Sequence, residues 1–147
     1  MRMQWVIAAM FLSSSAFAQD LPPGWQAQQM ASGQGNCAAW RQGDKVDTWV
    51  IVNKQDRLIV AAARPEWRFE KSGRVKATLA VDGGPEKPVE VSPLVNLVLY
   101  GPTDSDVEAE ISNAKTLQWH FPWGDFTADV TGIADAVAAV RQCNKKP

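Results

Sequence analysis

Apolar side chains alternate with polar ones over most of the chain, which predicts strands more often than helices. Val46, Thr48, Val50 and Val52 alternate with Asp47, Trp49 and Ile51. Turn residues Asn53-Lys54-Gln55-Asp56 follow, then the apolar run Leu58–Ala63, so 45–63 reads as an antiparallel hairpin. Because the first of its strands, 45–52, carries apolar residues in both parities, both faces of that strand are expected to be covered at least in part. Cys37–Trp40 predicts a strand before this hairpin. Beyond it, Trp67 and Phe69 share one face of 66–70, and Val75, Ala77, Leu79 and Val81 share one face of 73–81. Asp82-Gly83-Gly84-Pro85 ends that strand, and 88–91 returns as a short one before Ser92-Pro93. Val and Tyr favour a strand over 94–100. The run of Leu117, Trp119 and Phe121 predicts another, with a turn at Pro122–Asp125 and a last strand over 126–130.

The period changes to that of a helix in two places. Thr103 and Asp106 resemble a capping box for a helix over 104–114, with Val107, Ile111 and Ala114 on its inner face. Asp104, Asp106, Glu108 and Glu110 then make its outer, N-terminal side acidic. The second helix runs from Gly132 to about Gln142, with Ile133, Val137 and Val140 at helical spacing among four Ala. Asp135 near its start and Arg141 near its end suit the helix dipole. The fold class expected is α+β: a twisted, mainly antiparallel sheet of about six or seven strands with two packed helices, one terminal.

The first eighteen residues change the setting. Arg2, the apolar run Trp5–Leu12 and Ala16-Phe17-Ala18 read as a signal peptide with its cleavage site. The run is too short for a membrane span, which needs about 20 residues, and no later segment reads as an integral membrane segment. The organisation expected is a signal peptide over 1–18, an irregular Pro- and Gly-containing arm over 19–35 that docks through Trp25, and one domain over 36–147. The expected location is the periplasm or the exterior.

An oxidising compartment bears on Cys37 and Cys143, the two cysteines of the chain. A bridge between them closes a loop of about 107 residues, for which chain entropy gives about 5 kcal/mol. A redox or metal role is less suited to them, since no C-x-x-C occurs and His120 is the one histidine. The terminal helix would thereby be pinned to the first strand.

Charge excludes more than it selects. The net formal charge is −1 with signs interspersed, and no basic stripe of the nucleic-acid-binding kind is present. Arg64, Arg68, Arg74 and Lys76 surround Trp67 and Phe69, but Glu66 and Glu70 dilute them into a mixed face. The acidic string over 103–110 fails the EF-hand pattern for want of a central Gly and a closing Glu, so no metal site and no cofactor is expected. For hydrolysis, Ser32, Ser72, Ser92, Ser105 and Ser112 lack a nucleophile-elbow setting. The carboxylates Asp47, Glu66, Glu70, Asp125 and Asp129 are not spaced to make an evident pair.

The most unusual composition is Trp119-His120-Phe121-Pro122-Trp123-Gly124. Aromatic rings supply much contact area at low ordering cost. Two readings stand side by side: Trp119 and Phe121 are core with His120 on the wetter face, or Trp25, Trp119, His120 and Trp123 contribute to an interaction surface. The order of features also resembles small exported proteins of the invasion-associated locus B type. The resemblance rests on the early Cys37 strand, the 45–63 hairpin, the strand ending in Asp82-Gly83-Gly84, and the passage from Phe126 through Val130, Gly132, Ala136 and Val137 into a terminal helix. Cys143 follows that helix, and the middle cysteines of the family are absent. The resemblance implies a β-rich exported accessory protein, linked to the envelope or to host interaction, and carries over no catalytic residue. The functional expectation is a non-enzymatic accessory or inhibitor protein that binds another envelope or secreted protein. A small-molecule or glycan-binding protein is the alternative, and a small hydrolase using His120 the minor one.

Overall fold

The computed structural model describes residues 21–29, 37–70 and 73–145; the expected signal peptide lies outside them. Nine strands run in chain order as β1 (Trp25–Gln29), β2 (Cys37–Arg41), β3 (Asp47–Val52), β4 (Leu58–Ala63), β5 (Val75–Val81), β6 (Lys87–Leu94), β7 (Leu97–Tyr100), β8 (Thr116–Phe121) and β9 (Gly124–Asp129). Two helices complete the chain, α1 (Ser105–Ser112) and α2 (Ile133–Asn144). The strands form one antiparallel sheet in the order β1-β2-β3-β4-β7-β6-β5-β8-β9.

The sheet is curled, and its two end strands approach each other at one end. Arg41 at the end of β2 reaches Asp129 of β9 at 3.4 Å, and the Trp25 indole donates to the Thr131 carbonyl at 2.8 Å. Gly132 is needed there: at φ 92° it sits in the left-handed region, and a Cβ would come within 2.9 Å of the Pro22 ring. Inside the curl, Val50, Val60, Leu79, Val91, Val98, Leu117 and Trp119 meet Ile111 of α1 and Ile133, Val137 and Val140 of α2 in one continuous core. Helix α2 lies across β2 and β3. Cys37 and Cys143 are bonded, Cα to Cα 6.1 Å, across a separation of 106 residues. Beside the bridge, Asn144 accepts from the Cys37 amide at 2.8 Å and donates to the Val52 carbonyl at 3.2 Å. The end of α2 is thus tied to β2 and β3 together.

The α+β class, the 45–63 hairpin, the faces of β5 and β8 and both helices stand as the periodicity predicts, and several boundaries differ. The arm over 19–35 contains a strand: β1 pairs with β2 from Trp25↔Arg41 to Gln29↔Cys37. It lacks alternation because it is an end strand that sends only Trp25 into the core, its glutamines staying exposed. Residues 66–70 form no strand; a single bridge, Phe69↔Val95, holds them. Strand β6 is longer than expected and runs through Pro93, where β5 has already ended opposite Val91 and the missing N–H costs less. Val95 and Asn96 make a tight turn within 94–100, closed by the pair Leu94↔Leu97. The turn after β8 is also tighter than expected, with Phe121 paired to Gly124. The cap of α1 is Asp104, whose carboxylate accepts from the Asp106 amide at 2.7 Å. Glu108 does not face outward: it accepts from the Leu58 amide at 2.5 Å and from Arg57 at 3.3 Å, seating α1 on the β3–β4 hairpin.

Candidate functional site

At the open end of the curl, three segments converge. Alternation puts Trp119 and Phe121 of β8 and Phe126 of β9 on the inner face. The β4–β5 connection brings Trp67 against Phe121, Phe126 and Trp123, with ring centroids 5.9, 5.3 and 6.0 Å away. Trp123, at the tip of the β8–β9 hairpin, stacks on Phe121 at 4.9 Å and 11° and lies 5.0 Å from Phe69. Arg64 sits over the Phe126 ring at 5.4 Å and pairs with Glu66. Arg68 donates to the carbonyls of Pro65 at 2.6 Å and Trp67 at 2.8 Å, closing the connection on itself.

The third segment is the β6–β7 turn. The Phe69 amide donates to the Val95 carbonyl at 2.9 Å and the Arg64 amide to the Asn96 carbonyl at 3.1 Å. Val95 has φ 56°, in the left-handed region where a β-branched side chain is strained. Among the described residues the exposed large apolar side chains are Leu94 (54% exposed), Val95 (64%) and Trp123 (37%). Val95 and Trp123 both border Phe69, so exposed apolar surface gathers at this end.

On the outer face of the same hairpin, His120 stands between two carboxylates. Its Nδ1 lies 2.9 Å from Asp125 Oδ1 and its Nε2 2.9 Å from Glu86 Oε1. The hydrogen bond to Asp125, followed by the charges of Asp125 and Glu86, raises the imidazole pKa above its ordinary value. Both ring nitrogens donate only when the ring is protonated, so the arrangement favours the imidazolium.

Of the four residues singled out for an interaction surface, the structure brings two to solvent. Trp123 is exposed at the tip and His120 is partly exposed. Trp119 is fully buried, with its Nε1 lacking a hydrogen-bond partner, and Trp25 is buried against Thr131. Their rings therefore belong to the core, and the surface consists of Trp123 and Val95 around Phe69 and Trp67. Sequence reasoning missed Val95 because an exposed Val in a turn carries no period. The basic cluster also divides: Arg64 faces Glu66, Arg74 lies 3.4 Å from Glu90, and Lys76 pairs across the sheet with Glu90. No set of three or more His, Cys, Asp or Glu among the described residues is placed to hold a metal ion. None of the described helices is long and apolar enough to cross a membrane.

These features define a curled antiparallel sheet with two packed helices, a disulfide clasp and an aromatic end. The crystal structure of invasion associated protein b from Bartonella henselae has a similar fold, with a TM-score of 0.56 and 17% identity. The match covers 84% of this chain and 95% of that one. No family model and no curated protein matches the sequence. At this identity the likeness is one of fold.

Proposed function

We propose that this is an exported, non-catalytic accessory or inhibitor protein that binds another envelope or secreted protein through the aromatic end. One observation carries the reading: two of the exposed large apolar side chains among the described residues, Val95 of the β6–β7 turn and Trp123 of the β8–β9 tip, meet at Phe69 of a third segment. Exposed apolar area gathered in one place is the mark of an interaction site. The strain at Val95 supports it, since a turn selected for stability alone would carry Gly or Asn there. The signal-peptide reading, the disulfide and the fold shared with an invasion associated protein support a periplasmic or secreted location. A hydrolase using His120 to activate a hydroxyl would need an imidazole nitrogen directed at that hydroxyl, whereas both nitrogens of His120 face carboxylates.

The test is affinity capture from native periplasmic and envelope extract, with the oxidised protein recovered from the periplasm and Trp123→Ala and Val95→Asn variants beside it. A protein retained by the parent and lost from both variants is the expected result. A protein retained equally by all three would remove the aromatic end from the reading.

A second reading, a glycan- or small-molecule-binding protein, rests on a different face. Trp40 and Trp49 stack at 5.6 Å and 16° across β2 and β3, half-buried on the side of the sheet away from the core. Quenching of tryptophan fluorescence by extract freed of macromolecules, lost in Trp49→Ala and kept in Trp123→Ala, would favour that reading.

A further inference from the structure

We propose that the aromatic end receives a basic, apolar peptide segment of its partner protein, whose Lys or Arg is drawn to the carboxylates of Asp125 and Glu86 while apolar side chains cover Trp123 and Val95. The inference rests on the reading of this end as an interaction face and names the chemistry of what that face takes.

The charge around the aromatic end is the first argument. Among the described charged residues of this end, Glu66, Glu70, Arg64 and Arg68 lie on the β4–β5 connection, Asp125 and Glu86 meet at His120, and Arg74 and Lys76 stand at the start of β5 beside Glu90. Arg64 is committed to Glu66 and to the Phe126 ring, and Arg68 to backbone carbonyls. Asp125 and Glu86 remain, with 73% and 59% of their side chains exposed, joined only through His120. Two carboxylates brought this near to each other on a surface favour a cation, and complementary charge steers and orients a partner. Asp125 follows Gly124 directly after the exposed Trp123, so one segment crossing the hairpin tip meets an aromatic face and an acidic pair in succession.

His120 makes the seat conditional. The groups around it are Asp125 from β9, Glu86 from the turn before β6 and the uncharged Thr78 opposite it on β5, with Lys76 two residues along the same face of β5 and opposite Glu90. Protonated, the imidazolium fills the seat from within, and an incoming Lys or Arg must compete with it. Neutral, it carries one N–H and no charge, so it holds at most one of the carboxylates and leaves the other to the partner. Binding of a basic segment therefore strengthens as pH rises through the His120 titration.

The test is selection of a random peptide library displayed on phage against the oxidised protein, counter-selected on Trp123→Ala. The expected peptides carry Lys or Arg close to an aliphatic or aromatic residue, and they are lost when the target is the Glu86→Gln, Asp125→Asn double variant, its fold verified by thermal melting. The affinity of a selected peptide is expected to fall several-fold from about pH 8 to about pH 5.5, and that dependence to flatten in His120→Gln. Trp123-dependent peptides that are neutral or acidic, or basic ones indifferent to the double variant, would overturn the proposal and leave the interaction face standing. Failure to select any Trp123-dependent peptide would overturn both.

Discussion

His120 and the two Trp of its hairpin show how neighbouring residues take opposite roles. Alternation sends Trp119 into the core and His120 outward, while the turn lifts Trp123 to the surface. Trp119→Ala should cost about 3–5 kcal/mol, the range for emptying a buried aromatic site. Trp123→Ala should cost about 1–2 kcal/mol, the value of its ring contacts, and chemical denaturation midpoints will separate the two. The raised pKa of His120 sets a sign for pH dependence. Its pairing with Asp125 and Glu86 stabilises the fold fully below the unfolded value of about 6.5 and is lost as pH rises through the higher folded value. The thermal midpoint of His120→Gln should therefore lie below that of the parent in mild acid and converge on it in alkali.

At the scale of elements, ends and turns carry the departures from simple periodicity. Asp104 caps α1 one residue after the Thr that the sequence pattern suggests, because its carboxylate reaches the Asp106 amide. Asp104→Ala should cost about 1 kcal/mol in a denaturant melt. Val95 holds the β6–β7 turn in a conformation better suited to Asn. Val95→Asn should raise stability by about 1 kcal/mol, since its side chain is mostly exposed and little packing is lost. The same substitution should weaken partner capture, so melting and capture must move in opposite directions.

For the whole molecule, the clasp between Cys37 and Cys143 links the second strand to the last helix and closes most of the described chain into one loop. Reduction should lower the thermal midpoint markedly, chain entropy for a loop of this length amounting to about 5 kcal/mol. The intact mass should lie about 2 Da below that of the reduced protein, each disulfide being two hydrogens short of its thiols. Asn144 tethers the same corner through Cys37 and Val52, so the reduced protein should keep its β circular dichroism at low temperature while melting earlier.

Much of this was open to a reader of the sequence, and the limit has a physical form. The period of two in β3, β5 and β8 and the helical period of α2 follow from local geometry, so the strands, their buried faces and the terminal helix could be read directly. The pairing of Cys37 with Cys143 could be read too, because two cysteines allow a single bridge. The order of nine strands, the curl that brings Arg41 to Asp129, and the strand within the arm depend on pairing between distant residues and leave no local period. Of the candidate site, Trp123 and His120 stood out by local composition, and their meeting with Val95 and Phe69 belongs to that second group. Trp123, Val95 and Phe69 come from three turns and connections, and only tertiary packing puts Val95 and Trp123 on either side of Phe69. The sequence alone determined which side chains can be core; the closing of the sheet decided which of the aromatic ones were left over at its end.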